Sequence, residues 1–144
     1  MLKALSIIGY LIMVGGLLGL LYTRNLLSIS PFILVPQAAA VALMIWARIT
    51  FGRRSFHLAA NPTQGGLVTT GPYRFIRHPI YTAVCLFTLS GVIAHCSLAA
   101  ALLGLMVVTG ALSRMLMEEN LLVRQYPEYR EYAAHTRRMI PFVF

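Results

Sequence analysis

"PIYTAVCLFTLSGVIAHCSLAAALLGLMVVTGAL", residues 79–112, contains one histidine, His95, and no charged side chain. As a single helix it would be roughly 50 Å long at about 1.5 Å per residue. The hydrocarbon core of a bilayer is only about 30 Å thick. The run therefore reads as two helices, broken at "AHCS", residues 94–97, and folded into a hairpin with a very short turn. Upstream, Ala4–Tyr22 carries no charge and Pro31–Ala47 is nearly as clean. The mean hydropathy is +0.74, and 58% of residues are hydrophobic against 11% charged. These features identify an all-α integral membrane protein. About four transmembrane helices are expected, near 4–22, 31–49, 79–95 and 97–117. The first follows Lys3, but its apolar stretch is too long for a cleaved signal and no small-x-small site follows. It reads as an anchor.

The net charge of +8 would suggest a nucleic-acid partner in a soluble protein. Here the basic residues are divided by the spans and mixed with acids, which excludes that class. Eleven of the twelve fall on one side of the expected spans, and Arg24 lies alone on the other. By the positive-inside rule both termini and the 48–78 loop are cytosolic. Cys85 and Cys96 have no metal-ligand spacing and read as small buried hydrophobes, so no metal is expected.

Polarity is concentrated in two places. "GPYRFIRHPIY", residues 71–81, stands at the entry to the third span. His78 precedes a proline and is biased towards extended backbone, while Pro79 suits the first helical position. The helix start presents free N–H groups and a positive dipole end, reinforced by Arg77 and His78. Tyr81 in the first turn reaches the same spot, which suits a carboxylate or phosphate. The second place is "SRMLMEENLLVRQYPEYREY", residues 113–132, which holds all four acids, Glu118, Glu119, Glu128 and Glu131. The hairpin brings both segments to one membrane face.

Arg114 and Glu118 share a helical face, in the order that stabilises a simple helical pair less well. Two glutamates ending a spanning helix also oppose its dipole, unless the helix runs on to about Tyr126, where Pro127 stops it. Such local conflicts mark functional sites; the alternative is an interfacial salt bridge. Tyr126, Tyr129 and Tyr132 recur every three residues, a stripe expected to lie along the headgroups. His135 reads as surface-exposed, and His95 as ending a helix on the far side.

"LVTTGPYRFIRHPIY" followed by "EENLL", "YPEYREY" and "RRMIP" resembles the isoprenylcysteine carboxyl methyltransferase family of membrane enzymes. The likeness covers roughly residues 55–141 and preserves order and spacing. It implies S-adenosylmethionine held in a pocket at the cytosolic face. Gly65, Gly66, Leu67 and Val68 would line the cofactor through backbone, and Tyr73 would contact it. Arg77, His78, Pro79, Ile80 and Tyr81 would hold it as well, and Glu118 would reach its polar groups. Arg114 would face the acceptor substrate. Asn61 is a further cofactor contact by position. The chain departs from the family at Ala83, where glycine is common.

Methyl transfer from a sulfonium is an in-line displacement that needs alignment and exclusion of water. A carboxylate acceptor needs only a guide such as Arg114. A thiol or amine needs a proton sink, for which Glu119 and His78 are the candidates. A site at the bilayer edge predicts an amphipathic or lipidated acceptor arriving laterally, with the bilayer as the other partner. The domain reading is an N-terminal helix pair, 1–50, and a methyltransferase-like region, 51–144, in one compact domain. The rival readings are a nicotinamide-dependent reductase of the sterol reductase type and a non-enzymatic membrane scaffold.

Overall fold

Prolines and small residues set where the helices begin and how closely they pack. The computed structural model describes residues 2–52 and 66–141, with side chains from Ala4 onward. Gly65 and Asn61, both expected near the cofactor, lie outside the described residues. Among the described residues the chain forms helices α1 (Leu2–Tyr22), α2 (Pro31–Phe51), α3 (Pro79–His95), α4 (Leu98–Gln125) and α5 (Tyr129–His135), a 3-10 turn at Gly71–Arg74, and no strand.

Pro31 and Pro79 occupy the first positions of α2 and α3, where a missing N–H costs no intrahelical bond. The turn at 95–97 forms because Cys96 takes a left-handed conformation (φ 42°) that ends α3. Ser97 then caps α4, its Oγ accepting from the Ala100 N–H at 3.1 Å. This is the hairpin expected from residues 79–112.

α1, α2 and α4 are each long and apolar enough to cross a membrane, and α3, with 17 residues, is shorter. α4 has 28 residues and is about 42 Å long, so it outruns the hydrocarbon by about two turns. Glu118 and Glu119 consequently sit inside the helix, and Arg124 occupies its last turn. The conflict with the macrodipole is thereby relieved. Large apolar side chains such as Leu11, Leu18, Val35, Ile45 and Ile49 face outward, as expected for helices that are apolar all round.

α4 packs between α1 and α3, and α3 packs between α4 and α2. α1 and α2, consecutive in the chain, therefore flank the hairpin. Glycine makes the α1–α4 contact close: a Cβ on Gly110 would sit 2.6 Å from both the Gly9 carbonyl oxygen and the Met13 nitrogen. One on Gly16 would sit 2.8 Å from the Leu103 carbonyl oxygen. Small residues at such interfaces let backbones approach. Across the bundle, Gly91 of α3 lies under the Leu26 carbonyl, which also accepts from Gln37 Nε2 at 2.8 Å. His95 Nε2 pairs with the Leu27 carbonyl at 2.9 Å, at the end of the bundle opposite the polar segments.

Candidate active site

The residues expected at the site converge where α3 begins and α4 extends beyond its apolar portion. They form two clusters. In the inner one, the Tyr81 hydroxyl donates to Glu118 Oε1 at 2.6 Å and accepts from Arg114 Nε at 2.7 Å. Arg114 Nε also lies 3.2 Å from Glu118 Oε1. The Arg114 guanidinium stacks on the Tyr10 ring of α1, 4.9 Å from its centroid. The arginine is buried, and ion pairing, hydrogen bonding and an aromatic face together offset its desolvation. The Gly9 and Gly110 approach of α1 to α4 brings Tyr10 this close.

Glu119, the next residue on α4, belongs to the outer cluster. Its Oε1 accepts from Arg77 Nε at 2.9 Å and lies 3.2 Å from His78 Nε2. Its Oε2 accepts from Arg138 Nε at 3.0 Å. Arg77 Nη1 donates to the carbonyls of Ala133 (2.9 Å) and Thr136 (2.5 Å). The outer cluster thus joins the doorway to the segment after α5.

Backbone bonds complete that join. Ile76 and Arg137 form an isolated parallel bridge. The Arg77 N–H donates to the Arg137 carbonyl at 2.7 Å, and the His78 N–H to the Arg138 carbonyl at 2.9 Å. Thr82 Oγ1 donates to the Met139 carbonyl at 2.9 Å, and the Met139 side chain joins the core with Tyr81 and Met115. Residues 136–139 are a strap laid across the entry to α3.

The tyrosine stripe differs from expectation. Tyr129 is 2% exposed, and the Tyr132 hydroxyl donates to the Tyr73 carbonyl at 2.6 Å. Both turn inward, towards the protein rather than out from it. Burial pushes the Tyr132 phenol up to about 12, against the pull of Arg77. Burial also raises the Tyr73 phenol well above its ordinary range, with Tyr132 and Glu118 adding and Arg48 opposing. Both therefore stay protonated donors at neutral pH. Tyr73 packs on Phe51, ring centroids 5.4 Å apart, so the end of α2 forms another wall.

The structure brings together Tyr73, Arg77, His78, Pro79, Ile80, Tyr81, Arg114, Glu118 and Glu119. Gly66, Leu67 and Val68 lie half-buried on the approach to the 3-10 turn. Ala83 is 1% exposed, so the extra methyl sits in a closely packed place. The sequence reading missed Tyr10, Tyr132, Thr136 and Arg138. Arg138 has a signal in the sequence, its place in the "RRMIP" stretch that carries the family resemblance, but that stretch assigns it no role at the site.

Glu118 Oε2 accepts no hydrogen bond from the described residues, and neither does the Tyr73 hydroxyl make one. The inner cluster therefore retains hydrogen-bonding capacity, while both oxygens of Glu119 are engaged.

The profile of the phospholipid methyltransferase family matches residues 33–129, from α2 through the 3-10 turn and the hairpin to the start of α5. The chain is also similar to the nickel-cobalt-cadmium resistance protein NccN of Alcaligenes xylosoxydans xylosoxydans, with 40% identity over 80 residues. That match covers 52% of this chain and 36% of the relative, so the chain spans about a third of the length of the curated relative it matches. No solved structure matches. The family match covers about two thirds of the chain and takes in Arg77, His78, Tyr81, Arg114, Glu118 and Glu119, and by that extent the chain belongs to the phospholipid methyltransferase family.

Proposed function

We propose that this chain is a membrane methyltransferase that moves a methyl group from S-adenosylmethionine to an amphipathic or lipid-like acceptor at the cytosolic boundary. The observation that carries the reading is the division between adjacent glutamates. Glu119 is fully engaged in holding the strap, while Glu118 keeps one oxygen without a described partner.

The side chains suit the cofactor's chemistry. Glu118 Oε2 can accept from ribose hydroxyls or an ammonium group. The first turn of α3, at Ile80 and Tyr81, has N–H groups without intrahelical partners that suit a carboxylate. Gly66, Leu67 and Val68 offer backbone at the same approach, and Tyr73 a protonated phenol. Arg77 contributes mainly its positive field, since Nε and Nη1 are engaged by the chain. When bound, the cofactor supplies an electrophilic methyl group on a sulfonium. Arg114 and Tyr81 orient the acceptor head, while Tyr10 and Tyr73 exclude water from beside it. The charge distribution supports a cytosolic site, and its position at the apolar edge of α3 and α4 supports lateral arrival from the bilayer.

Membranes carrying the chain should transfer label from methyl-labelled S-adenosylmethionine into solvent-extractable material. Membranes carrying a folded Glu118→Gln variant should transfer far less. Label appearing only in water-soluble products would contradict the amphipathic acceptor.

A further inference from the structure

The doorway and the strap together present a surface patch that belongs to neither cluster. Arg74, Phe75, Arg137 and Ile140 are all exposed, Phe75 at 48% and Ile140 at 52%. The two pairs are distant in sequence and are joined through backbone. Ile76 and Arg137 form the parallel bridge, the Arg137 N–H donates to the Phe75 carbonyl at 3.4 Å, and the Arg77 N–H donates to the Arg137 carbonyl at 2.7 Å. The four side chains are therefore displayed from a fixed frame.

The depth of this frame follows from α3. That helix has 17 residues and is about 26 Å long, shorter than the hydrocarbon core of about 30 Å. The residues just before Pro79 consequently lie at the headgroup layer, and the strap bonded to them lies there too. At that depth apolar side chains meet acyl chains and arginines meet headgroups.

The charges of the patch are available. Among the described residues neither Arg74 nor Arg137 is ion-paired, and the exposed acids of this end, Glu128 and Glu131, pair with neither. The Arg74 guanidinium lies over the Phe75 ring, 5.1 Å from its centroid. A guanidinium held by its face keeps its N–H edge for the oxygens of a phosphate.

We infer that Arg74 and Arg137 bind the phosphate of an anionic phospholipid, with Phe75 and Ile140 against its acyl chains, and that this resident lipid clamps the strap to the doorway. It is distinct from the methyl acceptor, since neither arginine joins Arg114 or Glu119, and the inference does not depend on what the chain transfers. A zwitterionic headgroup carries the same phosphate but also an ammonium, which two arginines repel. The positive-inside pattern supports an anionic occupant, because the cytosolic leaflet is the one rich in such lipids.

The test is a titration of the full chain in uncharged detergent micelles, read by the arginine Nε–H NMR signals, which Arg74→Gln and Arg137→Gln assign. Dihexanoyl phosphatidylglycerol, dihexanoyl phosphatidylcholine and inorganic phosphate are added in turn. Saturable shifts of both signals are expected with phosphatidylglycerol, with far weaker responses to the other two. Each substitution should weaken phosphatidylglycerol binding about fivefold, while Arg130→Gln, an exposed change on α5, should leave it within about twofold. Equal response to phosphatidylcholine removes the selectivity for anionic lipid. Equal response to inorganic phosphate shows a site for free anions and overturns the lipid. Shifts absent altogether, or unchanged in both variants, overturn the site. In nanodiscs, adding phosphatidylglycerol to phosphatidylcholine should slow amide hydrogen exchange across 75–79 in wild type and leave it unchanged in Arg137→Gln. Exchange indifferent to phosphatidylglycerol in wild type overturns the clamp. None of these readouts involves S-adenosylmethionine, so the methyltransferase reading stands or falls separately.

Discussion

Glu118 and Glu119 are consecutive on α4 and belong to different clusters: Glu118 pairs with Arg114 and Tyr81, Glu119 with Arg77, His78 and Arg138. The helical rotation between neighbours, about 100°, turns one carboxylate towards Arg114 and Tyr81 and the other towards the strap. The two should therefore respond differently to substitution. Glu119→Ala should destabilise the protein by about 3–5 kcal/mol, because it strips the counter-charge from a part-buried set. Glu118→Gln keeps an acceptor for both Tyr81 and Arg114 and should cost less, about 1–3 kcal/mol for the lost counter-charge of the buried arginine. Denaturant unfolding in micelles reads both, and equal losses would contradict the division.

The strap should protect the doorway. Truncation after Thr136 removes the acceptors of the Arg77 and His78 N–H groups and the Met139 side chain. Amide hydrogen exchange across 75–79 should then accelerate strongly, while the middle of α4 stays protected. Unchanged exchange at the doorway would show that the strap does not hold it.

Glycine at the α1–α4 contact positions Tyr10 as well as the helices. Gly110→Ala should cost about 1–3 kcal/mol through overpacking. Gly15→Ala, with nothing within 4 Å of the added Cβ, should be neutral or stabilising by up to about 1 kcal/mol. Thermal unfolding of the two variants checks the contrast.

Tyr132 supplies a pH signature. Its phenol is raised from 10.0 to about 12 in the folded chain, so the folded state holds that proton more tightly than the unfolded one. The resulting stability is fully present below about pH 10 and is lost as pH rises towards about 12. Melting temperatures across that window should fall more steeply for wild type than for Tyr132→Phe. Parallel curves would contradict the assignment.

Much of the frame was legible because its signals are local. Pro31 and Pro79 mark helix starts, the charge-free run of 79–112 requires a break, and Pro127 explains why α4 stops near Gln125. The approach of the doorway to the glutamates followed from the hairpin alone. Less legible were contacts made across the fold. A spacing of three put Tyr129 and Tyr132 on one helical face, but periodicity does not say whether that face meets lipid or protein. Tyr10 stands in an apolar helix with no motif around it, and its partner Arg114 is reached only once Gly9 and Gly110 bring the helices together. The charge of Arg77 and His78 points to ligand groups, and their bonds to Glu119 and the strap depend on residues far along the chain.

The most direct test of the central claim is calorimetric titration of S-adenosylmethionine into the detergent-solubilised chain, with Glu118→Gln alongside. The account predicts saturable binding by the wild type and at least about tenfold weaker binding, roughly 1.4 kcal/mol, by the folded variant. No saturable binding by folded wild type, or equal affinity in the variant, would contradict it.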